Sequence, residues 1–187
     1  MCRWLKFSSK RGSSVSHLFK AVPLVLATIL LTVACGRGAA SQPTEANPKD
    51  LGQIRTFDVP SRKHVTGHVT YQQVPPVGGD HSPNVQPCGF YAKPITTERG
   101  VHTMEHGAVW ITYRPSLPRQ EVEILKGLTR TQHYLLVSPW AHRLPAPVVA
   151  SAWGHQVMLA SASDPALASF ITTYASAPGA PEPHAYC

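Results

Sequence analysis

The sequence predicts an α+β domain in which a small mixed or antiparallel sheet carries two helices. Short runs rich in β-branched residues alternate with two segments of helical spacing, and many turn residues separate them. The 187-residue chain has 43% hydrophobic and only 14% charged residues, with 18 Pro and 13 Gly. This composition provides many loops but also enough apolar side chains for one core, so a largely disordered polyelectrolyte is excluded.

Each element follows from a local pattern. Apolar residues at helical spacing predict a helix over 118–131, and Asp164 followed by Pro165 predicts a capped helix over 164–176. A segment with four Pro and three Gly, residues 74–89, is expected to form a long functional loop before the HTMEHG strand. Strands are predicted at residues 64–71, 105–113, 132–138, 148–153 and 156–160, the last two as a hairpin around Gly154.

The first 35 residues have the pattern of a secretory signal. Five basic residues and no acidic residue accompany an apolar run at residues 21–34, which is too short for a spanning helix. The run ends in LTVAC, which resembles a bacterial lipobox and makes Cys35 the residue to be lipidated. Cleavage near Ala40 with free secretion, or an uncleaved anchor, is the alternative. We expect an exported protein, anchored in membrane lipid through acylated Cys35 at the outer face of the cytoplasmic membrane, or in the periplasm.

The remaining chain divides into a linker and one domain. Residues 36–53 are small and polar with two Pro, which predicts a flexible tether, and residues 54–187 are expected to form a single α+β domain. Most of the formal net charge of +7 belongs to the leader, since beyond it 12 Lys and Arg face 10 Asp and Glu, a net charge of +2. Without a basic run in this part, nucleic-acid binding is not expected.

The strongest candidate functional residues are histidines in the loop and on the strand after it. If that strand extends back to residue 102, His102, Met104 and His106 would share one face, since side chains alternate along a strand. Two imidazoles and a thioether favour copper, especially Cu(I), over zinc. His81 would supply a third nitrogen, and Glu105 would accept a hydrogen bond from a ligating histidine.

Two other interpretations of the same residues stay open. His102-x-x-Glu105-His106 matches the H-x-x-E-H motif of zinc hydrolases, which requires a helix and a distal third ligand, whereas Gly107 and a strand-like run follow here. The cluster can also be structural, with Met104 in the core. The other histidines are weaker candidates: His64 and His68, which form a pair at i, i+4, and then His133, His142, His155 and His184.

Two cysteines remain after the leader, Cys88 and Cys187. In an exported protein an even pair favours a disulfide, which would join the end of the chain to its middle. Metal ligation by one of them is the alternative, but the last residue of a chain is poorly placed for a preorganised metal site.

Several segments together resemble the bacterial "domain of unknown function 3105" family. They are PPVGGDH at residues 75–81, CGFY at 88–91, VHTMEHG at 101–107, the pair Trp153-Gly154 and the closing PEPHAYC. Gly79-Asp80 stands where the family pattern has Ser-Gly. The resemblance implies an exported or anchored protein without an established activity. It singles out the following positions, among which Tyr91 would lie beside the metal ligands: His81, Cys88, Tyr91, His102, Glu105, His106 and Cys187.

The sequence therefore predicts an extracytoplasmic lipoprotein that binds a transition metal, copper rather than zinc, for homeostasis or delivery and not for catalysis. Its partner would be a metal-donor or metal-acceptor protein. An envelope scaffold with a structural histidine cluster is the alternative, and a zinc hydrolase is the third.

Overall fold

In the computed structural model, which describes residues 43–187, the chain forms six strands and three α-helices. The α+β class predicted from the sequence is confirmed, with one helix more than expected. The strands are β1 (Ile54–Thr56), β2 (Gly89–Phe90), β3 (Val109–Tyr113), β4 (Leu135–Pro139), β5 (Val148–Ala152) and β6 (His155–Leu159). The helices are α1 (Thr97–Glu105), α2 (Arg119–Thr131) and α3 (Pro165–Tyr174), and a short 3₁₀ helix spans Pro48–Asp50.

All six strands join one mixed sheet in the order β1-β6-β5-β3-β4-β2. The parallel pairs are β3 with β4 and β4 with β2, while β1, β6, β5 and β3 pair antiparallel in succession. Helix α2 connects β3 to β4, as parallel neighbours require a crossover connection. The predicted hairpin around Gly154 is formed by β5 and β6, and the two predicted helices correspond to α2 and α3.

The central strand β3 is buried on both faces and separates two hydrophobic clusters. Val109 and Ile111 belong to the cluster that packs under α2 and α3. Trp110 points to the opposite face, where it packs with Val101 and Met104 of α1. Of the three helices, only α1 therefore lies on this side of the sheet, and the long loop that precedes it lies there too.

The predicted strand over residues 105–113 is wrong in its first part, because residues 97–105 form α1. The helix ends in a Schellman motif, with Gly107 in the left-handed region at φ 92°. The backbone N–H of Gly107 donates to Met104 O at 3.0 Å, and that of Ala108 donates to Thr103 O at 3.2 Å. Strand β3 starts only after this turn, so His102, Met104 and His106 do not alternate along a strand.

The strand predicted over residues 64–71 is not formed either. Only a bridge between His64 and His81 is present, and Gly67 takes a positive φ of 97° that interrupts extended pairing. The segment instead contacts Glu98 in the first turn of α1, whose carboxylate accepts from the Val69 N–H at 2.9 Å. Burial raises the pKa of Glu98, but backbone N–H donors and His68 outweigh it and hold that pKa below the ordinary value.

The end of the predicted tether contacts the domain. Ala46 donates its N–H to Pro145 O at 2.8 Å, and Leu51 bridges to Met158 of β6. Ala46 and Leu51 also pack against the hydrophobic cluster under α1. The predicted signal at residues 1–35, the lipidation of Cys35 and the first part of the tether lie outside the residues that the structure describes. Within residues 43–187, no helix has the length and apolar character that a membrane span requires.

Candidate metal centre

Helix α1 presents three polar side chains on one face, because positions three and four residues apart are neighbours on a helix. These are His102, Glu105 and His106, the last as the C-cap residue. Met104 points the other way and is fully buried in the apolar cluster with Trp110. The predicted thioether ligand is thus placed in the core, and the helix is the physical reason.

The long loop delivers His81 to the same place. His81 is fully buried and lies between Gly79, whose carbonyl oxygen is 2.8 Å from its Nδ1, and Glu105, whose Oε2 is 2.9 Å from its Nε2. The loop takes a path that requires glycine at Gly78, where φ is 144° and a Cβ would come within 2.9 Å of Val59. The predicted loop therefore has a fixed conformation that aims one imidazole at α1.

His64 completes the group from a neighbouring segment. Two backbone hydrogen bonds, Val65 N to His81 O at 2.7 Å and His81 N to Lys63 O at 3.0 Å, hold the two segments side by side. The Nε2 of His64 lies 3.7 Å from Glu105 Oε2, and its side chain is 50% exposed whereas that of Glu105 is only 3% exposed. His64 therefore forms the solvent side of the group.

Four residues each bring one candidate ligand atom close enough to the others for all four to bind a single metal ion. The atoms of His64, His81, His102 and Glu105 all lie within 4.8 Å of one another. Donors on opposite sides of one ion, bound at about 2.0–2.2 Å, are about 4 Å apart, so small side-chain adjustments would suffice. We call these four residues the inner cluster.

Backbone carbonyls fix the tautomers of three histidines around this point. Nδ1 of His102 donates to Ser82 O at 2.8 Å, Nδ1 of His81 donates to Gly79 O, and Nδ1 of His106 donates to Tyr186 O. A carbonyl oxygen can only accept, so the proton of each neutral ring is on Nδ1 and the lone pair is on Nε2. This is the second hydrogen bond that metal-ligating histidines ordinarily make.

As a result, the Nε2 atoms of these rings face one another and the Glu105 carboxylate. The Nε2 of His81 faces Glu105 Oε2 at 2.9 Å, and the Nε2 of His102 faces the Nε2 of His106 at 3.1 Å. Burial lowers the pKa of His102, and the nearby His106, His81 and His64 lower it further, against the effect of the Ser82 carbonyl. A neutral, lone-pair-bearing His102 is the form that binds a metal ion.

His106 lies beside the inner cluster and outside the four-residue set. Its Nε2 is 3.6 Å from Glu182 Oε2, so it also contacts the C-terminal segment. That segment is covalently held, because Cys88 and Cys187 form a disulfide, as predicted.

The remaining predicted residues lie elsewhere. The Tyr91 hydroxyl donates to Pro87 O at 2.8 Å. His68 pairs with Glu98, His155 stacks on Tyr174, and His184 contacts Ser176.

The ligand set predicted from the sequence lacks two members of the inner cluster, Glu105 and His64. Glu105 was expected to support a ligand, whereas its carboxylate is in the cluster itself. The signal for this was present in the H-x-x-E spacing, which places His102 and Glu105 on one face once the segment is a helix. His64 was paired with His68, and no local pattern indicates that the chain brings it to His81.

The fold and this group of side chains define a small α+β domain with a candidate histidine and glutamate metal centre. Residues 64–187 match the family described as "Protein of unknown function (DUF3105)", and the chain belongs to that family. No curated protein and no solved structure matches the chain.

Proposed function

We propose that this protein binds a divalent transition-metal ion outside the cytoplasm, with the inner cluster as its ligands, and serves in homeostasis or delivery of that ion. The observation that carries the proposal is the convergence of imidazole nitrogens and a buried carboxylate on one point. Imidazoles whose Nδ1–H groups donate to carbonyls turn their Nε2 atoms toward each other and toward the buried Glu105 carboxylate. A proton or a metal ion between these atoms makes the contacts favourable, and Arg62, whose Nη1 lies 3.8 Å from Glu105 Oε1, offsets part of the buried charge.

The donor set narrows the choice of metal. Three nitrogens and one carboxylate oxygen suit copper as Cu(II) or zinc, and Met104 in the core removes the thioether that would favour Cu(I). Copper(II) exceeds zinc in affinity for sites of this kind, so we propose copper first and zinc second.

Export is supported by two features of the chain. The leader has the arrangement of a signal with a lipobox-like end at Cys35. The Cys88–Cys187 disulfide is of the kind that persists in oxidising compartments. A lipoprotein anchored at the membrane surface would exchange its ion with a donor or acceptor protein.

Elemental analysis of the full chain, purified in detergent from its own cell envelope, tests this proposal. We expect about one equivalent of copper or zinc per chain, retained through gel filtration. A metal-free preparation that also fails to take up Cu(II) or Zn(II) in a competition titration with a chromophoric chelator would exclude the function. In that event the envelope scaffold with a structural cluster becomes the better interpretation.

A zinc hydrolase is the second candidate, and the helical course of the H-x-x-E-H motif favours it. In that chemistry His102 and His106 would hold zinc from one helix face, and Glu105 would activate a water molecule. Replacing Glu105 by Gln separates the two functions. A hydrolase would lose turnover and keep its zinc, whereas the binding protein would lose affinity for the ion.

A further inference from the structure

The last six residues of the chain lie against the end of α1 that carries the histidines. The Glu182 N–H donates to the Glu105 carbonyl at 3.0 Å, and the Tyr186 carbonyl accepts from Nδ1 of His106. Cys187 is joined to Cys88, so this segment, which we call the C-terminal strap (residues 182–187), is covalently closed onto the domain.

The strap adds a carboxylate to a pair of imidazoles. Oε2 of Glu182 lies 3.6 Å from Nε2 of His106, which in turn lies 3.1 Å from Nε2 of His102. Two nitrogens bound to one ion at about 2.0–2.1 Å are about 3 Å apart, so the His102–His106 spacing matches an edge of a coordination shell. Both rings have their Nδ1 protons tied to carbonyls and offer only Nε2.

Exposure decreases in order along this row of donors. The Glu182 side chain is 52% exposed and that of His106 is 11% exposed, whereas His81 is fully buried. An ion arriving from solvent on the side of the strap would therefore meet the carboxylate first and the buried nitrogens last.

We infer that Glu182, His106 and His102 form an outer subsite for the same divalent ion, through which the ion passes to and from the inner cluster. The inference rests on the proposed function. His102 is the shared ligand: it would keep its bond to the ion while His106 and Glu182 are replaced by His81 and Glu105. No electron is transferred, and one donor bond forms as another breaks.

Stopped-flow loading of the full chain with Cu(II) tests the route. Replacement of Glu182 by Gln, or of His106 by Asn, is expected to slow both loading and release by about tenfold, because a carboxylate that attracts the ion, or its next donor, is lost. The stoichiometry would remain at one ion per chain, since the inner cluster is intact. The exposed Glu123→Gln variant on α2 serves as the matched control and should leave the rates unchanged.

A second experiment detects the outer subsite directly. In a His81→Asn/Glu105→Gln background, circular dichroism first establishes that the variant is folded. Residual Cu(II) binding, read by electron paramagnetic resonance as a site with two nitrogen donors, is then expected, and addition of Glu182→Gln should weaken it about tenfold. If that background does not fold, the rate measurements alone decide the question.

Different outcomes contradict the proposed function and the outer subsite. If the unaltered chain binds no ion, the proposed function is wrong. If it binds one ion but the Glu182 and His106 variants load and release it at unaltered rates, ions enter directly past His64 and the outer subsite is overturned. Opening the strap with Cys88→Ser/Cys187→Ser should slow loading as the Glu182 variant does, and unaltered loading there would also contradict the inference.

Discussion

His81 and Glu105 are 24 positions apart in the chain, and Nε2 of the first lies 2.9 Å from Oε2 of the second in the buried interior. The loop carries one partner and α1 carries the other. Because Nδ1 of His81 donates to Gly79 O, its Nε2 is the ring atom that faces the carboxylate, and a second ring proton or a metal ion would lie between the two. This contact is the centre of the inner cluster, and the first prediction concerns it.

Replacing His81 by Asn, or Glu105 by Gln, is expected to weaken Cu(II) or Zn(II) binding by more than about 100-fold. Loss of a residue that merely supports a ligand costs about 10–100-fold, and loss of a ligand costs more. Competition with a chromophoric chelator measures the change on the full chain. His142→Asn, at an exposed histidine, is the control and should bind as the unaltered chain does. Equal affinities in all three variants would place the ion elsewhere.

Met104, in contrast to His81 and Glu105, is expected to contribute nothing to metal binding. Met104→Leu conserves the volume of a fully buried side chain, so it should change the free energy of unfolding by less than about 1.5 kcal/mol. Metal stoichiometry and affinity should stay the same, for Cu(I) as well as Cu(II), because the sulfur lies among Trp110 and Val101. An anaerobic Cu(I) titration checks this. A clear loss of Cu(I) affinity in Met104→Leu would restore the thioether as a ligand.

The metal-free protein should become less stable as the pH falls below about 6.5. Burial is the main cause that lowers the pKa of His102, and burial also lowers that of His155. The unfolded chain titrates at the ordinary imidazole value, so it binds more protons than the folded chain between the two pKa values. The free energy of unfolding therefore rises with pH through that window, and the stability is fully present above it.

Thermal unfolding of the metal-free full chain from about pH 8 to about pH 5 measures this effect. The His155→Gln variant removes the contribution of the second histidine, so a smaller dependence in the same direction is expected in it. A Tm that stays constant or increases on acidification would contradict the prediction.

The disulfide should contribute strongly to stability, because it closes a long loop. Cys88 and Cys187 are 99 positions apart, and closure of a loop of about that length lowers the entropy of the unfolded chain by an amount worth about 4–5 kcal/mol. The Cys88→Ser/Cys187→Ser variant should lose most of this in urea unfolding. Reductant should destabilise the unaltered chain and leave the variant unchanged. Equal stability of the two chains would mean that the bridge adds little.

The sequence predicted those parts of the fold that depend on local patterns. The apolar spacing of α2, the Asp164-Pro165 start of α3 and the hairpin around Gly154 were sufficient to locate these elements. The contact of His81 with α1 depends on the path of a loop, which composition does not specify. The position of His64 beside His81 depends on the two backbone hydrogen bonds that join Lys63 and Val65 to His81. Neither contact has a local signature.

The boundary between α1 and β3 was misplaced for a physical reason. The residues after Gly107 are strongly strand-forming, and the predicted strand includes the end of HTMEH as well. In this short segment the order of apolar and polar residues is compatible with a helix and with a strand, so periodicity does not distinguish them. The decisive signal was a single glycine. Its left-handed conformation ends the helix and turns the chain into β3, so the two histidines before it are spaced along a helix and not along a strand.

Substitution of that glycine is the final test. A Cβ in the left-handed region at Gly107 would be strained and would come within 3.4 Å of Ser176 Cα. Gly107→Ala should therefore lower the free energy of unfolding by about 1–2 kcal/mol.

Gly127→Ala is the matched control, since Gly127 lies inside α2 with open space around its Cβ position, and there we expect a gain of about 0.5–1 kcal/mol. Urea unfolding of both variants measures the difference. Because Gly107 directly follows His106, the first variant should also load metal more slowly than the second. Equal stabilities would show that the turn does not depend on glycine, and the account of where α1 ends would then be wrong.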